Sequence, residues 1–80
     1  MSRFFFNVTD RYNSPDEEEA VELPNVAAAR ERAVQGARAL LCDDIMRGIL
    51  DLNGFISVID EAGKVLTVVR FDEVVVRSLR

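Results

Sequence analysis

The segment LPNVAAARERAVQGARALLCDDIMRG, Leu23 to Gly48, constrains what the rest of the chain can be. Its apolar residues recur with the 3.6-residue period of an α-helix, and after Pro24 no proline interrupts them. Asn25 predicts the N-cap, because its side-chain oxygen can accept a hydrogen bond from a free amide of the first turn. Gly48 predicts the stop, since glycine enters the left-handed conformation that ends a helix without steric cost. The predicted helix therefore runs from Val26 to Arg47. At 100° per residue, Val26, Ala29, Ala33, Ala37, Leu40 and Leu41 share one stripe, with Val34 and Ile45 at its border. The stripe opens with alanines and closes with leucines, so the first half of the helix should approach its support more closely. Gly36 costs about 1 kcal/mol against alanine in a helix interior. It marks either a close backbone contact or simple tolerance.

The flanking segments carry strand patterns. RFFFNVTD, Arg3 to Asp10, sends Phe4, Phe6 and Val8 to one face and Phe5, Asn7 and Thr9 to the other. RYNSPDEEE follows with turn chemistry at Asn13, Ser14 and Pro15 and an acidic run from Asp16 to Glu19. AVEL reads as a short return strand whose glutamate suits a sheet edge. ILDLNG is a connection with Asn53 and Gly54 as turn residues. FISVIDEAGKVLTVVRF then predicts a hairpin around Glu61, Ala62 and Gly63, a type I turn closed by a left-handed glycine. This loop sets Asp60 opposite Lys64, Ile59 opposite Val65, Val58 opposite Leu66, Ser57 opposite Thr67 and Ile56 opposite Val68. One face is then aliphatic (Ile56, Val58, Leu66, Val68) and is assigned to the helix. The other mixes Phe55, Ile59, Val65 and Val69 with Ser57 and Thr67. The tail DEVVVRSLR fits a last edge strand or a short helix equally well. Together these elements predict one α+β domain over residues 1–80: β-β-α-β-β, a four-stranded antiparallel sheet in order 2-1-3-4 with one long helix on one face.

Eighty residues, 49% of them hydrophobic, suffice for a small core. A domain this size buries only about 60% of the surface its unfolded chain exposes, so pairing with a second copy would help it. The net charge of −4 has the wrong sign for nucleic-acid binding, which draws on clustered Lys and Arg. No apolar run reaches the ~18 residues of a membrane span, and the start of the chain lacks a signal-peptide pattern. One cysteine, Cys42, excludes an internal disulfide, and a reducing, cytoplasmic setting is expected.

The layout resembles a family of short bacterial proteins known only as a domain of unknown function. The resemblance rests on the opening Arg-aromatic strand RFFFNVTD, the Leu-Pro-Asp/Asn helix start in DEEEAVELPN, and the Ala/Arg-rich helix AAARERAVQGARALL. It continues through the LDLNG link, Leu50 to Gly54, and the hairpin VIDEAGKVL, similar to a V-D-E-x-G-[RK]-V pattern. That family usually has His where Asn7 stands, and a Gly-containing turn in place of RYNSPDEEEA. The resemblance implies a compact α+β fold with no established activity, and any chemistry of that His is missing here. A looser, fold-level likeness is to HicB-like antitoxins, which usually add a DNA-binding segment that this chain lacks.

The chain contains no histidine, which removes His-based acid–base catalysis, His-containing triads and His metal sites. Cys42 falls on the outward side near the C-terminal end of the helix, where the dipole disfavours a thiolate, so an inert thiol is expected. Asp16, Glu17, Glu18 and Glu19 lack the alternating spacing of a calcium loop. They read as a solvated loop or as an acidic surface for a basic partner. Asp43 can pair with Arg47 at i,i+4. Asp44 projects into the apolar stripe, so it either reaches water beyond the sheet or meets a cation such as Arg70. The aromatics Phe5 and Phe55 could stack bases, but no basic groove accompanies them. No enzyme, cofactor, metal, membrane or nucleic-acid role is expected. The leading expectation is an interaction module that forms a homodimer through Phe5, Phe55, Ile59, Val65 and Val69, or through the edge strand KVLTVVRF. The C-terminal tail folding over the same face is the rival. An antitoxin-like regulator that binds a basic protein through its acidic face is the second reading.

Overall fold

In a computed structural model the described residues are 2–9 and 20–75. Strand β1 (Ser2–Thr9) pairs antiparallel with β2 (Val21–Leu23) on one side and β3 (Phe55–Ile59) on the other, and β3 pairs with β4 (Val65–Arg70). The order β2-β1-β3-β4 is the predicted one, and helix α1 (Val26–Met46) lies across one face. Residues 10–19, including the acidic run Asp16 to Glu19, and residues 76–80 lie outside the described residues.

The helix limits follow their local signals. Asn25 Oδ1 accepts a hydrogen bond from the Ala28 N–H at 2.8 Å. At the other end Gly48 has φ +79°. Its N–H reaches the Ile45 carbonyl at 2.8 Å, and the Ile49 N–H reaches the Asp44 carbonyl at 2.9 Å. Those two bonds satisfy carbonyls that the helix would leave open, in the pattern of a Schellman cap. Ala29, Ala33, Ala37 and Leu41 are the helix residues buried against the sheet. Three alanines at four-residue spacing let the helix axis settle close over β3 and β4, as their small size predicts. Val26 and Ile45, at the ends and border of the stripe, remain exposed.

Beneath the helix, the core is Phe4 from β1, Ile56 and Val58 from β3, Val69 from β4, and Phe71 and Val74 beyond it. Burying each large apolar side chain contributes about 1.5–3 kcal/mol. Phe6, Val8, Leu23, Val34, Leu40 and Leu66 pack around this centre while half-exposed.

The β3–β4 register departs from the regular hairpin expected. The loop end is as predicted: Gly63 has φ +84°, Asp60 and Lys64 are bonded through their backbones, and Ile59 stands opposite Val65. The Asp60 carboxylate also accepts from the Ala62 and Lys64 amides, both at 2.9 Å, which locks the turn. Beyond that point Val58 pairs with Thr67, Ser57 with Val68, and Ile56 with Val69, so Leu66 is an extra residue. A bulge of this kind moves every later side chain of the strand to the opposite face. Without it Leu66, Val68 and Arg70 would face the helix, and a guanidinium would be driven into the core. With it Val69 and Phe71 enter the core, Leu66 packs at its border and Arg70 reaches water.

After β4 the chain makes a short 3-10 turn, Phe71–Glu73, and Val74 returns to the core. Arg38 of α1 holds this return by donating from Nε to the Val74 carbonyl at 2.9 Å. The described part of the tail is thus neither a strand nor a cover for the far side of the sheet.

Two glycines test these contacts in opposite directions. A Cβ on Gly54 would stand 2.5 Å from Phe71 Cε2 and 2.8 Å from the Thr9 carbonyl, whereas one on Gly36 would meet Ile56 Cδ1 at an ordinary 3.7 Å. Gly36 therefore marks tolerance, not close approach. Gly54→Ala should destabilise the fold by about 1–3 kcal/mol through overpacking. Gly36→Ala should stabilise it by up to ~1 kcal/mol through helix propensity. Urea unfolding followed by circular dichroism measures both, and equal effects would contradict this packing.

Candidate functional site, the open face of the sheet

Helix α1 covers one side of the sheet, and the side chains that alternate with the core set form the other. Phe5, Asn7 and Thr9 come from β1, Phe55, Ser57 and Ile59 from β3, and Val65, Val68 and Arg70 from β4. The pairings set three rows: Phe5 opposite Ile59 opposite Val65, then Asn7, Ser57 and Val68, then Thr9, Phe55 and Arg70. Among the described residues no element covers this face. Phe5, Phe55 and Ile59 are half-buried by their own neighbours, Val65 and Val68 are 51% and 41% exposed, and Ser57 is buried at the centre.

Four of the five expected interface residues, Phe5, Phe55, Ile59 and Val65, therefore share this face, with Phe5, Ile59 and Val65 in one row and Phe55 two rows away. Val69 is not. It is fully buried beneath the helix, because the bulge at Leu66 exchanges its face with that of Val68. Thr67 likewise leaves the mixed face for the helix side, where its Oγ1 accepts from Arg30 at 3.1 Å. The same exchange separates Arg70 from Asp44. Arg70 pairs with Asp72 on the open side, and Asp44 stays half-exposed near the end of α1. Asp43 and Arg47 form the expected i,i+4 pair at 3.1 Å.

The charges on this side neutralise one another within the chain. Arg3 of β1 pairs with Glu22 of β2 at 3.5 Å on one flank, and Arg70 pairs with Asp72 on the other. Both pairs are well exposed and contribute little to stability. Among the described residues, the charges at the two flanks of this face are thus paired within the chain.

A second feature was not anticipated from the sequence. Between α1 and the β1–β2 side of the sheet lies a groove of about 570 Å³ floored by Ala33, Gly36 and Ile56 and walled by Phe6, Val8 and Leu40. It exists because small helix residues stand over large strand residues, a mismatch visible in the spacing of Ala33, Gly36 and Ala39. Arg32 and Asp43 stand at its rim, and no set of polar groups converges inside it. Cys42 is exposed on the outer side of the helix, as expected. Among the described residues no three metal-ligating side chains come together. No helix there is long and apolar enough to cross a membrane.

The chain belongs to the family described as Domain of unknown function (DUF6894), whose pattern matches residues 3–72, from the opening strand through the first turn after β4. That span contains both faces of the sheet and the whole of α1. No curated protein and no solved structure matches the chain. Membership agrees with the expected uncharacterised family, whereas the HicB-like likeness gains no support from these comparisons.

The two faces of β4 can be distinguished by one conservative change made twice. Val69→Thr puts a hydroxyl into an apolar core and should cost about 1–3 kcal/mol. Val68→Thr, on the open face, should alter monomer stability by less than about 0.5 kcal/mol. Equal or reversed costs in urea unfolding at low protein concentration would restore the regular register.

Proposed function

We propose that this chain is a non-enzymatic interaction module that forms a two-fold homodimer by packing the open sheet face against its copy. The observation that carries the reading is the apolar cross-strand row of Phe5, Ile59 and Val65, with Val68 in the next row and Phe55 beyond the central Ser57 on the same face. Apolar patches of this kind on a small domain mark interaction surfaces. A second copy is the favoured occupant because an isologous contact must be self-complementary, and the described ion pairs beside the face, Arg3–Glu22 and Arg70–Asp72, add no net charge of their own there. The C-terminal tail is the poorer candidate, since Phe71 and Val74 commit its first residues to the helix side.

The size of the face sets the expected affinity. A few strands ~4.8 Å apart and ~5–6 residues long offer roughly 500 Å² of accessible surface per protomer, near the low end for specific association. Dimerisation in the micromolar range is expected.

Sedimentation equilibrium provides the test. Wild type should pass from monomer to dimer with concentration, and Phe5→Ser or Ile59→Lys should weaken the dimer at least tenfold while leaving the far-UV spectrum unchanged. Cys42, on the opposite side of the molecule, serves as a control: a maleimide adduct there should leave the dimer constant unaltered. Wild type that remains monomeric at several hundred micromolar would refute the proposal, as would a dimer indifferent to both face substitutions.

A further inference from the structure

The outer edge of β4 carries a second device. The Phe71 N–H donates to the Gly54 carbonyl at 2.9 Å, which makes Gly54 and Phe71 a bonded pair of the ladder. Alternation then makes Ile56 and Val69 the next bonded pair, while Arg70 and Val68 face Phe55 and Ser57 without direct bonds. The backbone N–H and C=O groups of Val68 and Arg70 therefore point away from the sheet. An edge of this kind is a template for another strand. Its sequence, VLTVVRF, is rich in β-branched residues and has neither proline nor glycine, which is the composition that favours strand addition.

Two of these outward groups, the Val68 carbonyl and the Arg70 N–H, are engaged by side chains of the same chain. Arg30, from the second turn of α1, reaches over the edge and donates from Nη1 to the Thr67 hydroxyl at 3.1 Å and to the Val68 carbonyl at 3.4 Å. Its Nη2 pairs with Glu73 Oε1 at 3.4 Å, and that same oxygen accepts the Arg70 N–H at 2.9 Å. The guanidinium and the carboxylate thus form a bracket from the helix to the 3-10 turn, lying across the line a fifth strand would take. The bulge at Leu66 bends the strand just before it.

We infer that the Arg30–Glu73 pair is an edge clamp that closes β4 to strand addition by a second β4, so that self-association is confined to the open face and stays finite. An added strand would have to displace Arg30 from the Val68 carbonyl and Glu73 from the Arg70 amide before it could form its own ladder. Where the clamp is released, each β4 edge can recruit another chain. Combined with an intact open face, this would convert a closed dimer into an open assembly.

Closure of the edge is independent of the homodimer reading, whereas its consequence for a finite assembly rests on that reading, and the test of the edge uses a different measurement. A fluorescent peptide spanning Lys64 to Phe71 is titrated into the full chain and followed by anisotropy. Wild type should bind it weakly or not at all. Arg30→Met, which keeps the apolar stem but removes the guanidinium, and Glu73→Ala, which frees the Arg70 amide, should each bind it at least tenfold more tightly. On wild type itself, raising NaCl from 0.05 to about 1 M should shift binding in the same direction by screening the half-exposed pair. Equal peptide binding by wild type and a folded variant, or by wild type at both salt concentrations if neither variant folds, would overturn the clamp. The dimer mass of wild type bears only on the open face.

Discussion

Burying an unpaired guanidinium costs several kcal/mol, more than an 80-residue domain can spare, and the C-terminal half of this chain is arranged to avoid it. Arg70 sits in a strand whose regular register would aim it beneath the helix. One extra residue, Leu66, turns the strand so that Val69 and Phe71 take the buried positions instead. From that exchange follow the contents of both faces: the core gains an aromatic ring, and the open face gains Val68 and a solvated Arg70 paired with Asp72. The outward direction of the Val68 carbonyl, on which the Arg30 contact depends, belongs to the same arrangement.

The alanine stripe of α1 acts with this exchange. Ala29, Ala33 and Ala37 bring the helix down onto Val58 and Val69, the two largest side chains that are fully buried. A close helix leaves little depth above β3 and β4, so branched and aromatic strand residues fill the layer from below. Towards β1 the same small residues leave the groove beside Phe6 and Val8. At the far end Gly54 admits the Phe71 ring against its backbone, which ties the link after α1 to the end of β4.

One helix covers one side of the four-stranded sheet, and among the described residues no element covers the other. Among the described residues the uncovered face carries the apolar row Phe5, Ile59 and Val65 and ion pairs at its flanks, while the β4 edge is bracketed by a helix side chain. Face and edge are thus treated differently by the same chain: one is left available and the other is occupied from within. The proposed self-association depends on that difference, because contact through the face closes with two copies whereas contact through an edge can continue.

The helix, its caps, the Asp60–Lys64 turn and the strand order could be read from the sequence because each depends on residues close together or on a connection too short to allow another path. Asn25, Gly48 and Gly63 act within a turn of where they stand, and those local rules transfer directly to the structure. Phe5, Phe55, Ile59 and Val65 could be placed on one face because the period of two holds from the loop outward. Val69 could not, since its side depends on whether Arg70 or Phe71 fits beneath a helix that lies some thirty residues earlier. The alternation of Leu66, Val68 and Arg70 against Thr67, Val69 and Phe71 held the signal, but only the packed core weighs one set against the other. The reach of Arg30 to Thr67, Val68 and Glu73 likewise joins residues that no pattern along the chain connects. Local geometry and short connections thus came from the sequence by itself. Which side chains were buried, which were left open, and how the edge was closed were decided by the tertiary structure, through the cost of burying charge and the space beneath one helix.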